Sequence, residues 1–156
     1  MKLTEKFSYP GVGVEDVYGL ITDQAFREEA CEDQHSLEYD VSIDGGTVTI
    51  VRTMPAEMPD FVKKLTGDTV KVKQTERWSD PGDGTRVADV KVSIIGQPAE
   101  MVGTAKLSTN GDNTDFVING DVKVSIPFLG KKIEPEVHKA IVASLHSEVE
   151  LGMTKL

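Results

Sequence analysis

The longest regular pattern of hydrophobic positions in the chain runs from Gly130 to Leu151. Its apolar residues recur at three- and four-residue spacing: Ile133, Val137, Ala140, Ile141, Leu145 and Val149. This spacing predicts one long amphipathic helix with a broad apolar face. Pro135 is compatible with that helix because we expect it in the first turn, where its missing N–H has no partner to lose. Two polar residues, Ser144 and Glu148, interrupt the apolar face.

The N-terminal segment from Lys2 to Tyr9 has a two-residue period instead. Apolar and polar side chains alternate along it as in a half-buried strand, with Glu5 on the apolar side. Helical spacing follows between residues 14 and 21. Asp23 then predicts the N-cap of a second short helix that extends to about Cys31. The chain therefore begins with one strand and two short helices.

Six alternating segments follow, and they predict six strands at residues 35–43, 47–54, 70–78, 88–94, 101–107 and 116–126. The turn Asp44-Gly45-Gly46 predicts a hairpin between the first two of them. Residues 54–67 interrupt the series with two prolines and one predicted short helix, so we interpret them as a flap inserted between strands. Short connections make successive strands antiparallel.

The element order β-α-α-β6-α therefore predicts an α+β fold, in which a curved antiparallel sheet of seven strands wraps around the C-terminal helix. One apolar sheet face needs a cover, and that helix is the only element long enough to provide it. A sheet curved around one helix often leaves a cavity at its open end. An apolar ligand is the natural occupant of such a cavity.

Length and charge limit the function classes. A chain of 156 residues fits a single domain, residues 1–156, and it has neither a membrane-spanning segment nor a signal-peptide pattern, so we expect a cytoplasmic protein. The net charge of −9 disfavours nucleic acid and anionic membranes as partners. The only cysteine, Cys31, has no neighbours at metal-ligand spacing. We predict no cofactor, no metal and no particular oligomeric state.

The order of elements resembles the helix-grip fold of the START-like superfamily, which includes SRPBCC and birch-pollen-allergen-like proteins. Three segments are similar to an uncharacterised bacterial family within it, domain-of-unknown-function family 2505: LITDQAF, PDFVKKLTGDTVKVKQTERW and VSIPFLGKKIE. The resemblance implies one START-like domain that binds a lipid, sterol-like or polyketide-like compound between sheet and helix, and a minority of the superfamily are cyclases or dehydratases. Asp44-Gly45-Gly46 replaces the glycine-rich loop of the plant members, so no role of that loop is carried over.

The predicted inward face of the sheet carries several polar residues, of which Arg52 and Glu76 lie on neighbouring strands. A mutual ion pair is the simplest way to satisfy both charges, either as a structural pair or as a group that orients a ligand. His35 with Glu76 is the best candidate for an acid–base pair. On the flap, Phe61 either joins Met54 and Met58 in a hydrophobic lid or plugs the sheet edge with Leu65.

The leading hypothesis is a non-enzymatic carrier or sensor of a small hydrophobic ligand. A cyclase or dehydratase that uses His35 and Glu76 is the alternative enzyme, and an interaction module with a filled cavity is the third. The predicted ligand-binding residues come from the strands, the flap and the long helix: Arg52, Met54, Phe61, Gln74, Glu76, Trp78, Val92, Met101, Val137, Ile141, Ser144, Leu145 and Glu148.

Overall fold

Seven strands and four helices make up the structure, a computed structural model that describes residues 1–156. In chain order the elements are β1 (Lys2–Tyr9), α1 (Val14–Ile21), α2 (Gln24–Asp33), β2 (Glu38–Asp44), β3 (Thr47–Pro55), α3 (Asp60–Thr66), β4 (Thr69–Ser79), β5 (Arg86–Ile94), β6 (Ala99–Asn110), β7 (Asn113–Val124) and α4 (Gly130–Met153). All strands join one antiparallel sheet in the order β1-β7-β6-β5-β4-β3-β2. The predicted α+β helix-grip architecture is confirmed.

Alternation along each strand separates a covered face from a solvated one. On β6, Met101, Ala105 and Leu107 are buried, whereas Val102 and Thr104 between them are exposed. A similar alternation on the other strands, interrupted on β7 where Thr114, Asp115 and Phe116 are all buried, places the core on one side of the sheet.

The beginning of β2 differs from the prediction. The strand starts at Glu38, and His35 precedes it with a φ of 61°, in the left-handed region. Leu37, which falls within the predicted strand at residues 35–43, is 61% exposed. The cause is the end of α2, because Gln34 caps that helix and the chain must reverse over the next residues before it can join the sheet.

Two glycines let β6 and β7 approach each other closely. Gly103 and Gly120 are opposite each other in the ladder. A Cβ on Gly103 would lie 2.1 Å from the carbonyl oxygen of Asn119, and a Cβ on Gly120 would lie 2.6 Å from Met101 Sδ. At Gly103 the obstacle is backbone, so only glycine fits there, whereas a side chain at Gly120 would have to displace the side chain of Met101. Glycines inside strands commonly mark such close contacts and bends of a sheet.

The long helix begins at Gly130, within the predicted limits, and its backbone lies closest to β7, α2 and β1. Pro135 is consequently in the second turn, so the prediction that it costs no hydrogen bond is wrong. Its ring nitrogen cannot donate to the carbonyl of Lys131, which is an exposed residue whose carbonyl can bond to water instead. No helix in the structure is both long and apolar enough to cross a membrane.

The two short N-terminal helices close the other side of the core. The carboxylate of Asp23 accepts a hydrogen bond from the Phe26 amide at 2.9 Å, so the predicted N-cap of α2 is confirmed. Helix α2 packs on β2 and against α4. Its buried face, which includes Ala30 and Cys31, therefore lies between the sheet edge and the long helix.

Candidate functional site

A cavity of about 840 Å³ lies between the concave face of the sheet, α2 and α4. Its wall is mostly hydrophobic and takes side chains from β1, from β3 to β7 and from the helices. This volume is typical of sites for drug-sized ligands. The hypothesis of an interaction module whose cavity is filled by its own side chains is therefore not supported.

The exposed residues of the lining show where the cavity opens. All of them except Glu100 of β6 come from the end of α2, the flap and the middle of α4, and we call this opening the mouth: Asp33, His35, Glu57, Pro59, Lys139, Ala140 and Ala143. The opposite wall is formed by buried side chains of the central strands, such as Val90, Ala105 and Ile118. A ligand that enters at the mouth meets an apolar surface in front of it.

Arg27 is a buried arginine that reaches the cavity from α2, with 2% of its surface exposed. Its guanidinium donates to both oxygens of Glu76, from Nη1 to Oε1 at 3.1 Å and from Nη2 to Oε2 at 2.6 Å. Nη1 also donates to the carbonyl oxygen of Ile21 at 3.2 Å. This bidentate geometry is the strong form of an arginine–carboxylate pair.

Glu76 is saturated by four donors, since Trp78 Nε1 at 3.0 Å and Gln74 Nε2 at 2.6 Å add to the two from Arg27. Burial by itself raises the pKa of a carboxyl group. The charge of Arg27 and the hydrogen bonds from Arg27, Trp78 and Gln74 outweigh it, so the pKa of Glu76 lies below its ordinary value. Glu76 is therefore ionised and held in one orientation.

Glu148 of α4 is the second carboxylate beside Arg27, with its Oε1 2.8 Å from Arg27 Nε. Arg27 Nε forms no hydrogen bond, so its contact with Glu148 is an ion pair only. The phenol of Tyr9 lines the same part of the cavity, close enough to Glu148 and Arg27 to be influenced by both charges. Burial and the nearby Glu148 charge both raise the pKa of Tyr9, which keeps the phenol protonated.

Arg52 of β3 is the other buried cation of the cavity wall, with 8% of its surface exposed. Its Nη1 donates to Gln34 Oε1 at 3.3 Å, and its Nη2 donates to Ser144 Oγ at 3.0 Å. Ser144 Oγ in turn donates to Gln34 Oε1 at 2.5 Å. No carboxylate lies within 4.0 Å of Arg52, and its Nε is buried without a partner.

The predicted ion pair between Arg52 and Glu76 is wrong. The two strands are neighbours, but in their ladder Arg52 faces Val72, whereas Glu76 faces Val48. Four residues of β-strand separate the two positions, about 13 Å along the sheet. Arg27 from α2 takes Glu76 instead.

The predicted acid–base pair of His35 and Glu76 is also absent. His35 is exposed at the mouth, and neither a hydrogen bond nor an ion pair joins it to Glu76. The lone pairs of Glu76 are already occupied by Arg27, Trp78 and Gln74. Glu76 therefore cannot serve as the proton acceptor of His35.

The other predicted site residues are brought together on the cavity wall, with one exception. Those that line it are Arg52, Met54, Gln74, Glu76, Trp78, Val92, Met101, Val137, Ile141, Ser144, Leu145 and Glu148. Phe61 does not, because Val62 is the residue of α3 that turns into the core. The ring of Phe61 faces α4 instead, with Lys132 Nζ 5.1 Å from its centroid. Met58 lines the cavity in its place among the flap residues.

Tyr9, Arg27 and Gln34 are polar residues of the wall, around the two buried arginines, that were not predicted from the sequence. A signal for two of them is present, because Arg27, Ala30, Cys31 and Gln34 follow the i, i+3, i+4, i+7 spacing of one helix face. The stripe is inconspicuous because long polar side chains form half of it.

A family model described as "Protein of unknown function (DUF2505)" matches residues 4–155, nearly the whole chain. The chain belongs to this family. An uncharacterized protein of Mycobacterium tuberculosis is 28% identical over 96 residues, which are 58% of this chain and 55% of that protein. The match thus spans about half the length of the curated relatives.

Solved structures of helix-grip proteins share the fold of this DUF2505 chain. Norcoclaurine synthase from Thalictrum flavum is 13% identical, with a TM-score of 0.64 over 98% of this chain and 86% of that one. The Zhui aromatase/cyclase from Streptomyces is 10% identical, with a TM-score of 0.59 over 99% of this chain and 89% of that one. At such identities the similarity shows the fold alone.

Proposed function

We propose that this DUF2505 protein is a carrier or sensor of one small hydrophobic ligand, of lipid, sterol-like or polyketide-like type. The ligand lies in the cavity between the sheet and α4. The observation that carries the proposal is the cavity itself, which has a volume of about 840 Å³, a mostly apolar wall and a mouth formed by three elements. Affinity comes from apolar burial, at roughly 25 cal/mol per Å² less the cost of ordering the ligand.

The flap supports the same function. Met54, Pro55, Ala56, Glu57, Met58 and Pro59 all line the cavity on one side of the mouth. Methionine side chains adapt to irregular apolar surfaces, and two prolines limit the conformations of the loop that carries them. The proposed role of Met54 is to cover the apolar part of a bound ligand.

Native mass spectrometry of the protein as purified tests the proposal. We expect a one-to-one complex with a small apolar compound, or, after delipidation, a rise in thermal midpoint with members of a hydrophobic ligand panel. A ligand-free mass together with no thermal shift across lipids, sterols and polyketide-like aromatics would contradict it.

A cyclase or dehydratase is the second candidate, favoured by the fold shared with an aromatase/cyclase and by the polar groups inside the cavity. Glu148 and Tyr9 are the groups that could act on a bound substrate, because the oxygens of Glu76 are fully engaged. If a linear polyketide mimic is cyclised by the wild type, Glu148→Gln should abolish the ring product and His35→Ala should not. Absence of any product in the wild type excludes this substrate class.

A further inference from the structure

Arg52 is a charged group for which the protein supplies no counter-charge. Its guanidinium has five N–H donors, and only two of them are used, by Gln34 and Ser144. Both partners are neutral. A buried charge is costly unless it is paired, so a cation that is 92% buried beside neutral groups indicates a missing anion.

The neighbouring titratable groups do not supply that anion. Glu76 and Glu148 both contact Arg27 directly, and neither lies within 4.0 Å of Arg52. Cys31 lies near Arg52, but burial raises the pKa of its thiol even against the effect of the arginine charge, so it is neutral at physiological pH. The counter-charge for Arg52 must come from outside the chain.

The position of Arg52 makes it accessible to a ligand. Its partner Gln34 lies in the chain between Asp33 and His35, which are both residues of the mouth. Its partner Ser144 directly follows Ala143, another residue of the mouth. The side-chain nitrogen of Gln34 makes no hydrogen bond within the protein and provides a further donor at the same place. We call Arg52, Gln34 and Ser144 the Arg52 cluster.

We propose that the ligand of this cavity is an amphipathic monocarboxylate, whose carboxylate binds the Arg52 cluster and whose apolar body lies against β5, β6, β7 and α4. The proposal rests on the proposed function and adds the chemical class of the ligand. A planar guanidinium matches a carboxylate with two parallel hydrogen bonds. One fixed cation balances one negative charge, whereas a phosphate dianion would leave an uncompensated charge in a cavity that already holds two carboxylates.

Compounds with the same dodecyl chain and different head groups test the proposal on the wild-type protein. N-phenyl-1-naphthylamine, which is uncharged at neutral pH, is the fluorescent probe that they displace. We expect dodecanoic acid to compete at about tenfold or more lower concentration than dodecan-1-ol, because a charge-assisted hydrogen bond replaces a neutral one. We expect dodecylamine to be the weakest competitor.

Arg52→Met should remove the preference for the acid and bring the acid-to-alcohol ratio to about one, with little change for the alcohol. Arg77→Met is the matched control, since Arg77 is exposed on β4 and does not line the cavity, and it should retain the preference. If Arg52→Met does not fold, Ser144→Ala provides a second variant, for which we expect a smaller preference. The comparison of head groups on the wild type needs no variant.

The failures are distinguishable. If acid and alcohol displace the probe equally, the ligand class is wrong and the proposed function stands. The carboxylate assignment is also overturned if dodecyl phosphate or dodecylamine competes better than the acid, or if Arg52→Met folds and keeps the full preference. If the probe does not bind and neither a dodecyl compound nor any member of the hydrophobic ligand panel raises the thermal midpoint, the proposed function fails and the inference fails with it.

Discussion

Arg27 and Arg52 lie on the wall of the same cavity, and both are almost completely buried. Arg27 contacts two carboxylates, Glu76 and Glu148, and shares a bidentate pair with the first. Arg52 has no carboxylate partner, and its hydrogen bonds go to a serine hydroxyl and a glutamine oxygen. The two arginines of this cavity therefore differ in one respect: the protein supplies carboxylate counter-ions to Arg27 and none to Arg52.

The difference separates a structural charge from one that is available to a ligand. Desolvating an arginine is expensive wherever it occurs, and in the case of Arg27 the fold offsets the cost with its own anions. In the case of Arg52 the fold provides only neutral acceptors. Removal of Arg27 should therefore damage folding, whereas removal of Arg52 should damage binding.

The largest effect is expected for Arg27→Met, which leaves Glu76 buried without its counter-charge. We expect a loss of about 3–5 kcal/mol in the free energy of unfolding and a Tm lower by roughly 10 °C. Urea unfolding followed by circular dichroism measures it. Arg27→Lys keeps the positive charge but not the bidentate hydrogen bonds, so we expect it to lose less free energy of unfolding. An Arg27→Met protein as stable as the wild type would show that this pair has no structural role.

The same variant should change the pH dependence of stability. In the wild type the pKa of Glu76 is lowered, so its contribution is present above the unfolded pKa of about 4.3 and is lost as the pH falls through the folded pKa. Without Arg27, burial raises that pKa, and the variant gains stability as Glu76 becomes protonated. The stability difference between the two proteins should therefore shrink from pH 7 to pH 4. A constant difference would show that Glu76 does not sense Arg27.

Glu148→Gln should have a smaller effect, about 1 kcal/mol. The Glu148 side chain is 21% exposed, and its contact with Arg27 Nε is an ion pair without a hydrogen bond. Glu76→Gln is the matched comparison, because the carboxylate of Glu76 accepts four hydrogen bonds. The unfolding midpoints of both variants show which substitution destabilises the protein more. A larger loss of stability for Glu148→Gln than for Glu76→Gln would make Glu148 the main counter-ion of Arg27.

The smallest effect on stability is expected for Arg52→Met, within about 1 kcal/mol of the wild type and in the stabilising direction. Ser144 and Gln34 remain hydrogen-bonded to each other after the substitution, and an uncompensated buried charge disappears. Thermal unfolding without ligand measures this. A loss as large as that of Arg27→Met would mean that Arg52 is structural, and the contrast between the two arginines would not hold.

The fold was predictable from the sequence because apolar and polar residues alternate along most of each strand, and the long helix carries a separate apolar face. The positions of Ser144 and Glu148 on the inner face of α4 followed from the same spacing. Both are half-buried in the structure and contact the two arginines. Periodicity within one element was enough for these predictions.

The pairing of the charges was not predictable, because it depends on how separate elements are placed in space. Neighbouring strands suggested a pair of Arg52 with Glu76, but the register of β3 and β4 holds them apart. Nothing in the local pattern indicates that α2 places Arg27 over the far end of β4. His35 was misplaced for a related reason, since the end of α2 determines where β2 begins.

The central claim is that the cavity binds one hydrophobic molecule, and a pair of neighbouring residues tests it most directly. Ala105 lines the cavity, whereas Thr104 beside it on β6 is exposed on the outer face. Fluorescence titration with N-phenyl-1-naphthylamine should give one site in the wild type and in Thr104→Phe, and at least about tenfold weaker binding in a folded Ala105→Phe protein. Equal binding by all three proteins would place the probe outside the cavity and contradict the account.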